Sequence, residues 1–212
     1  MNIWIDSADV AEIKQAVAMR LCDGVTTNPS LIAKTGRKNE EVIADICNIT
    51  DVPVLAETVG ISYEEIMSEG AELAKIADNV VVKIPFCKDG LRAVSDFADQ
   101  GIQSAVTLVF NASQALLAAK AGAAYIAPFV GRVDDIGSEG MEVIAEIVQI
   151  YDWYDYDTEI IVASVRTPMH FKDSALAGAH AITVPFSLVD KLMKHPLTEN
   201  GIAQFLADAG RK

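Results

Sequence analysis

Short apolar runs recur along the chain. Each is followed by a polar or Gly/Pro break, then by a segment whose apolar positions repeat at helical spacing. The runs are Ile3–Ile5, Gly24–Val25, Val52–Ala56, Val80–Ile84, Gln103–Leu108, Ala124–Ala127, Ile160–Ala163 and Ala181–Val184. Between them lie helical stretches at Ala8–Ala18, Glu40–Ile49, Ser62–Ile76, Leu91–Asp99, Ser113–Ala119, Gly140–Tyr151 and Pro168–Leu176. Continuous apolar runs of this length suit strands covered on both faces, as in parallel sheets. Alternation with helices calls for right-handed βαβ crossovers. Eight such units predict an α/β chain folded as a single (β/α)8 TIM barrel over residues 1–212. An open doubly wound sheet is the rival. It would offer a glycine-rich turn after an early strand, and the first run meets Asp6-Ser7-Ala8-Asp9 instead. His195-Pro196 breaks the helix after the eighth run, and an extra C-terminal helix is expected over 197–210. Its Ile202, Phe205, Leu206 and Ala209 share one face, which suits a lid under the barrel or an arm packed on a neighbouring subunit.

Composition narrows the function classes. Hydrophobic residues make up 51% and charged residues 22%, enough apolar material for a large core and too much for a disordered chain. Lys and Arg number 17 against 30 Asp and Glu, a net charge of −13. That argues against nucleic-acid and anionic-membrane partners, which need a basic face. A small anion is not excluded, because one or two local arginines suffice to hold it. Cys22, Cys47 and Cys87 match no metal or redox spacing, and His170, His180 and His195 lie apart. The expectation is a reduced, cytoplasmic protein with buried thiols and no metal. Met1 to Asp6 lacks a basic n-region, so no signal peptide is expected. Ala115 to Val130 is broken by Lys120 and is too weak to span a bilayer.

In such barrels chemistry sits at the C-terminal ends of the strands. Those ends carry Asp6, Thr26, Asn28, Glu57, Lys83, Thr107, Phe129, Arg132, Ser164 and Arg166. Lys83 is the most informative, because it interrupts Val80-Val81-Val82 and Ile84-Pro85, whereas the other ten of the eleven lysines sit in helical or loop contexts. Burial disfavours the ammonium and so supplies the neutral amine that attacks a carbonyl to form a Schiff base. A lysine that snorkels to the barrel mouth or pairs with a carboxylate would explain the position equally well. Asp6 and Glu57 suit general acid/base work, although Asp6 could simply cap the first helix and Glu57 could be a solvated loop residue. Arg132 and Arg166 match phosphate oxygens, with surface salt bridges as the plain alternative. Asn28 and Thr26 could bind a ligand hydroxyl, but Asn28-Pro29-Ser30 is also a good turn and helix start. Tyr151 to Asp157 reads as an exposed loop, and Asp134, Asp135 and Glu139 as a solvated face.

Four blocks taken together go further: Thr26-Thr27-Asn28-Pro29-Ser30-Leu31, Val82-Lys83-Ile84-Pro85, Ala127-Pro128-Phe129-Val130-Gly131-Arg132 and Ala163-Ser164-Val165-Arg166-Thr167-Pro168. In order and spacing they resemble the transaldolase family, in its short, fructose-6-phosphate aldolase-like branch. The resemblance implies a (β/α)8 barrel and a class I mechanism that needs no metal or cofactor. Lys83 would form the imine with a ketose phosphate, and Asp6 would take the hydroxyl proton as the carbon–carbon bond breaks. Glu57, helped by Thr107, would hold a catalytic water and shuttle protons. Asn28 would orient the dihydroxyacetone part, and Arg132, Ser164 and Arg166 would bind the phosphate. The family contains transferases and aldolases. Glu57 and Phe129 resemble the transferase state, since the aldolase typically has Gln and Tyr there. Ala105 and Ala127 depart from the Asn and Ser of long transaldolases. The expected activity is therefore a transaldolase of the pentose phosphate pathway acting on sugar phosphates. The alternatives are an aldolase that releases free dihydroxyacetone and a non-catalytic sugar-phosphate binder. The branch also implies a homo-oligomer, a pentamer or decamer.

Overall fold

The computed structural model describes residues 1–211. Eight strands alternate with helices: β1 Asn2–Asp6, β2 Gly24–Thr26, β3 Val54–Glu57, β4 Val80–Pro85, β5 Ser104–Val109, β6 Tyr125–Pro128, β7 Glu159–Val162 and β8 Ala181–Val184. They close in sequence order into one barrel, every neighbouring pair parallel. The helices are α1 Val10–Ala18, α2 Pro29–Thr35, α3 Asn39–Cys47, α4 Tyr63–Ala74, α5 Lys88–Asp99, α6 Ala112–Lys120, α7 Val130–Asp135, α8 Gly140–Trp153, α9 Pro168–Ala177, α10 Phe186–Met193 and α11 Pro196–Asp208. The predicted (β/α)8 barrel with an extra C-terminal helix is the observed architecture. α11 buries none of its residues, and its Ile202, Phe205 and Leu206 are exposed.

Two apolar compartments hold the fold together. The larger lies between the strands and the helical ring. The smaller fills the barrel itself with Trp4, Leu55, Val81, Ala105, Ile161 and Ala181, packed against Tyr125. Trp4 and Tyr125 meet edge to face at 5.4 Å, a favoured arrangement of aromatic quadrupoles. Gly24 makes the Trp4 seat possible, since a Cβ there would lie 2.2 Å from the indole ring. Side chains alternate faces along a strand. Two residues beyond this plug, the same faces therefore bring Asp6, Thr26, Glu57, Lys83 and Thr107 into the C-terminal end of the barrel.

Helix starts fix the loops around that end. Asp9 caps α1 by accepting from the Ala11 amide at 2.7 Å, so the helix begins at Val10 and Asp6 is free of the capping role. Asn28 caps α2 and Thr167 caps α9, each followed by proline in the first turn. Ser62 and Glu65 form a capping box on α4, and Asn111 caps α6. Three expectations change. α8 runs through to Trp153, and Tyr151 is buried with its hydroxyl donating to the Ala115 carbonyl at 2.7 Å, so the start of the acidic aromatic stretch is helix, not loop. The three thiols are half-buried rather than buried; burial pushes Cys22 up to about 11. The last helix begins at Pro196 and ends at Asp208, slightly N-terminal to the expected span. Among the described residues no helix is long and apolar enough to cross a membrane.

Candidate active site

Lys83 is 5% exposed and sits on β4 opposite Glu57 of β3. Its Nζ lies 2.9 Å from Glu57 Oε2 and donates to the Thr27 carbonyl at 2.9 Å. A buried ion pair needs close geometry and further hydrogen bonds to offset desolvation, and both are present. Of the two plain explanations for Lys83, the carboxylate partner is therefore the one observed, and that partner is one of the acid/base candidates. Two of the three ammonium hydrogens are engaged, while Lys83 also lines a cavity of about 170 Å³.

That cavity gathers most of the predicted residues: Asp6, Thr26, Asn28 and Lys83 on one side, Phe129, Arg132 and Ser164 on the other. Asp6 accepts from the Thr26 hydroxyl at 2.8 Å. Burial pushes its carboxyl above the usual carboxylate range, and this outweighs the opposing pull of the Thr26 hydrogen bond and of the Lys83 charge. Thr26 Oγ1 also lies 2.6 Å from Thr183 Oγ1. Because the single Thr26 hydrogen goes to Asp6, Thr183 is the donor in that contact. Thr183 lines the cavity, and sequence reading passed over it because it stands in an uninterrupted apolar run. Its inward parity with Ala181 on β8 was the available signal.

Asn28 spends its side-chain oxygen on the α2 cap, 3.0 Å from the Leu31 amide, which leaves its amide hydrogens for a ligand. The turn reading and the ligand reading thus hold at once. The buried Thr107 hydroxyl has no hydrogen-bond partner among the described residues. Glu57 faces a second cavity of about 190 Å³, between α2 and the loop after β3, that Asn28 shares. Arg132 stacks over Phe129 at 5.0 Å, within cation–π range, and Phe129 meets Phe110 edge to face at 5.8 Å. Ser164 reaches the cavity with φ of +57°, a left-handed conformation costing an L-residue about 1–2 kcal/mol.

Arg166 stands apart. It lies on the rim, half-exposed, with both terminal nitrogens on the carboxylate of Asp135. The salt-bridge alternative describes this arginine as observed. Asp134 and Asp135 lie on an exposed face, as expected, but are not without partners: Asp134 accepts from the Gly140 amide at 2.8 Å and contacts His170 Nε2 at 2.8 Å.

A sequence model described as Transaldolase/Fructose-6-phosphate aldolase matches residues 3–211. The chain belongs to this family. Among its relatives, a "Probable transaldolase" of Phenylobacterium zucineum is 57% identical over 208 residues, covering 98% of this chain and 96% of the relative. Proteins of the same name are 55% identical in Methanococcus maripaludis strain C5, over 98% and 97% of the two chains, and 54% in Leptospira biflexa, over 99% and 98%. Among solved structures, thiamine phosphate pyrophosphorylase from Pyrococcus furiosus superposes with a TM-score of 0.63 over 90% of this chain and 93% of its own, at 14% identity. That likeness shows the barrel alone.

Proposed function

We propose that this family member is a transaldolase. It moves a dihydroxyacetone unit from sedoheptulose 7-phosphate or fructose 6-phosphate to glyceraldehyde 3-phosphate or erythrose 4-phosphate through a lysine Schiff base, in the pentose phosphate pathway. Lys83, paired with Glu57 and lining a cavity that Asp6 and Arg132 also line, is the observation that carries this reading. Glu57 takes a proton from the Lys83 ammonium, and the free amine adds to the ketose carbonyl. Glu57 returns that proton to the departing hydroxyl, water leaves and the iminium remains. Asp6 then takes the proton of the hydroxyl on the far side of the scissile bond. The bond's electron pair moves into the iminium, an aldose phosphate departs and the three-carbon enamine stays on Lys83. Attack on a second aldose reverses the step, with Asp6 returning its proton, and water hydrolyses the new imine. A carboxyl held by burial above the usual carboxylate range suits Asp6 to both directions of transfer. Thr107, whose buried hydroxyl has no partner among the described residues, helps to hold the water that Glu57 activates. Asn28 orients the substrate hydroxyls, Thr26 orients Asp6, and Arg132 with Ser164 and Arg166 holds the phosphate.

The protein works in the cytoplasm on small sugar phosphates, with no nucleic-acid or membrane partner, as a pentamer or decamer tied together by the exposed apolar stripe of α11. Ala127 in the cavity wall favours a second reading, an aldolase releasing free dihydroxyacetone, because it offers the fragment no hydrogen bond. Two experiments test these readings. Borohydride reduction with fructose 6-phosphate, followed by mass mapping, is expected to place a reduced adduct on Lys83; an unmodified Lys83 overturns the Schiff base and leaves a mere binder. Product release measured with and without erythrose 4-phosphate is expected to require the acceptor. Equal rates turn the reading to the aldolase.

A further inference from the structure

Arg132 and Arg166 differ in a way that the proposed phosphate site must resolve. Arg132 lines the cavity and makes no salt bridge among the described residues, whereas both terminal nitrogens of Arg166 are bound by the Asp135 carboxylate. A carboxylate and a phosphate present the same pair of oxygens to a guanidinium fork, so Asp135 occupies the geometry that a phosphate would need. The backbones behind the two arginines are tied together. The Val130 and Gly131 amides donate to the Ala163 and Ser164 carbonyls at 3.1 Å each, and the Arg166 amide donates to His170 Nδ1 at 3.3 Å. His170 Nε2 in turn contacts Asp134 at the end of α7. The Arg166 stem lies against Gly131, where a Cβ would come within 2.8 Å of Nε, so the guanidinium starts one residue from Arg132. With both backbones held, any movement of Arg166 toward a ligand at Arg132 is a rotation of its side chain. The carboxylate it would leave is half-exposed, and such pairs are weak enough for a dianion to exchange.

We propose that Asp135 is a latch. It holds Arg166 on the rim as an internal stand-in for phosphate and releases it when the phosphate of the sugar arrives at Arg132 and Ser164. Asp135 touches no reacting atom. It is a specificity-determining residue, because only a ligand bearing a phosphate can displace it, while a free sugar finds Arg166 still occupied. The inference rests on the phosphate site proposed above.

Calorimetric titration of the full-length protein with inorganic phosphate tests it. Asp135→Asn is expected to bind phosphate about two- to fivefold more tightly than the unmodified protein, the scale of one exposed ion pair. KM for fructose 6-phosphate should fall by a similar factor, with KM for free fructose unchanged. Removing any nearby negative charge would also favour an anion, so the same substitution is made on an Arg166→Gln background. There the gain is expected to vanish. A gain that persists without Arg166 makes Asp135 a general field effect and overturns the latch. Weaker phosphate binding by Asp135→Asn overturns it as well, because Asp135 then positions Arg166 for the ligand. Should phosphate bind neither the unmodified protein nor Asp135→Asn, and Arg132→Gln leave KM unaltered, the phosphate site itself is wrong and the latch falls with it.

Discussion

The barrel interior has two floors, and they differ far more than their separation suggests. The lower floor is Trp4, Leu55, Val81, Ala105, Tyr125, Ile161 and Ala181, an apolar plug. Two residues further along the same strands, about 6.6 Å away, stand Asp6, Glu57, Lys83, Thr107 and Thr183. The lower floor is apolar, and the buried indole nitrogen of Trp4 has no hydrogen-bond partner among the described residues. The upper floor holds a cavity, a buried ion pair and a carboxyl raised by burial. Burying ions is costly by several kcal/mol each. The apolar floor below and the closed ladder around both supply the stability against which that cost is set. One strand thus carries a stabilising residue and a reactive one a single repeat apart, with the backbone shared.

Substitution at Asp6 gives the largest expected contrast between the floors. Asp6→Asn is expected to lower kcat by about 10²–10⁴-fold, the usual scale for a general acid/base group. Stability should move the other way. A carboxyl whose folded value is raised contributes stability below its unfolded value, near 4, and loses it as pH rises through the folded value. The amide has no charge to desolvate, so the melting temperature of Asp6→Asn at neutral pH should exceed that of the unmodified protein, with the difference closing toward acid. A variant that is both inactive and less stable would show that the upper floor also holds the fold together.

Leu55→Ala is the complementary change below. Leu55 is fully buried, and its truncation should cost about 2–5 kcal/mol. Thermal unfolding is expected to fall by roughly 2–4 °C per kcal/mol in a chain of this size. Activity per folded molecule should stay near normal well below the transition; a large loss of kcat there would mean the floors are coupled. The smallest effect is expected at Phe129→Tyr. The ring lines the cavity, and a phenolic hydroxyl can hold a water that phenyl cannot. Release of free dihydroxyacetone relative to transfer should rise severalfold, read as the product ratio with and without acceptor. An unchanged ratio removes the ring from control of the intermediate.

Much of this was legible beforehand, for reasons visible at particular residues. A lysine inside Val80–Pro85 could be read as a reactive group because nothing else in that run is polar until the strand ends. Short helices were harder: α2 and α7 span 7 and 6 residues, too few to show a helical period, and they emerged only as a turn signal at Asn28-Pro29 and a family block at Val130. Thr183 was hidden because one hydroxyl does not break an apolar run. Asp135 is solvent-exposed as expected, but its pairing with Arg166 was hidden because the partner lies 31 positions away.

The sequence by itself determined the number and order of the strands, the barrel they close into and the polar residues at their ends, because period and local chemistry are properties of neighbouring positions. Which carboxylate meets Lys83, which hydroxyl steadies Asp6 and which arginine is already occupied were decided only by the tertiary structure. Those contacts join residues 20 to 31 positions apart, and only the closed register of parallel strands and the loops that it anchors bring them within hydrogen-bond distance.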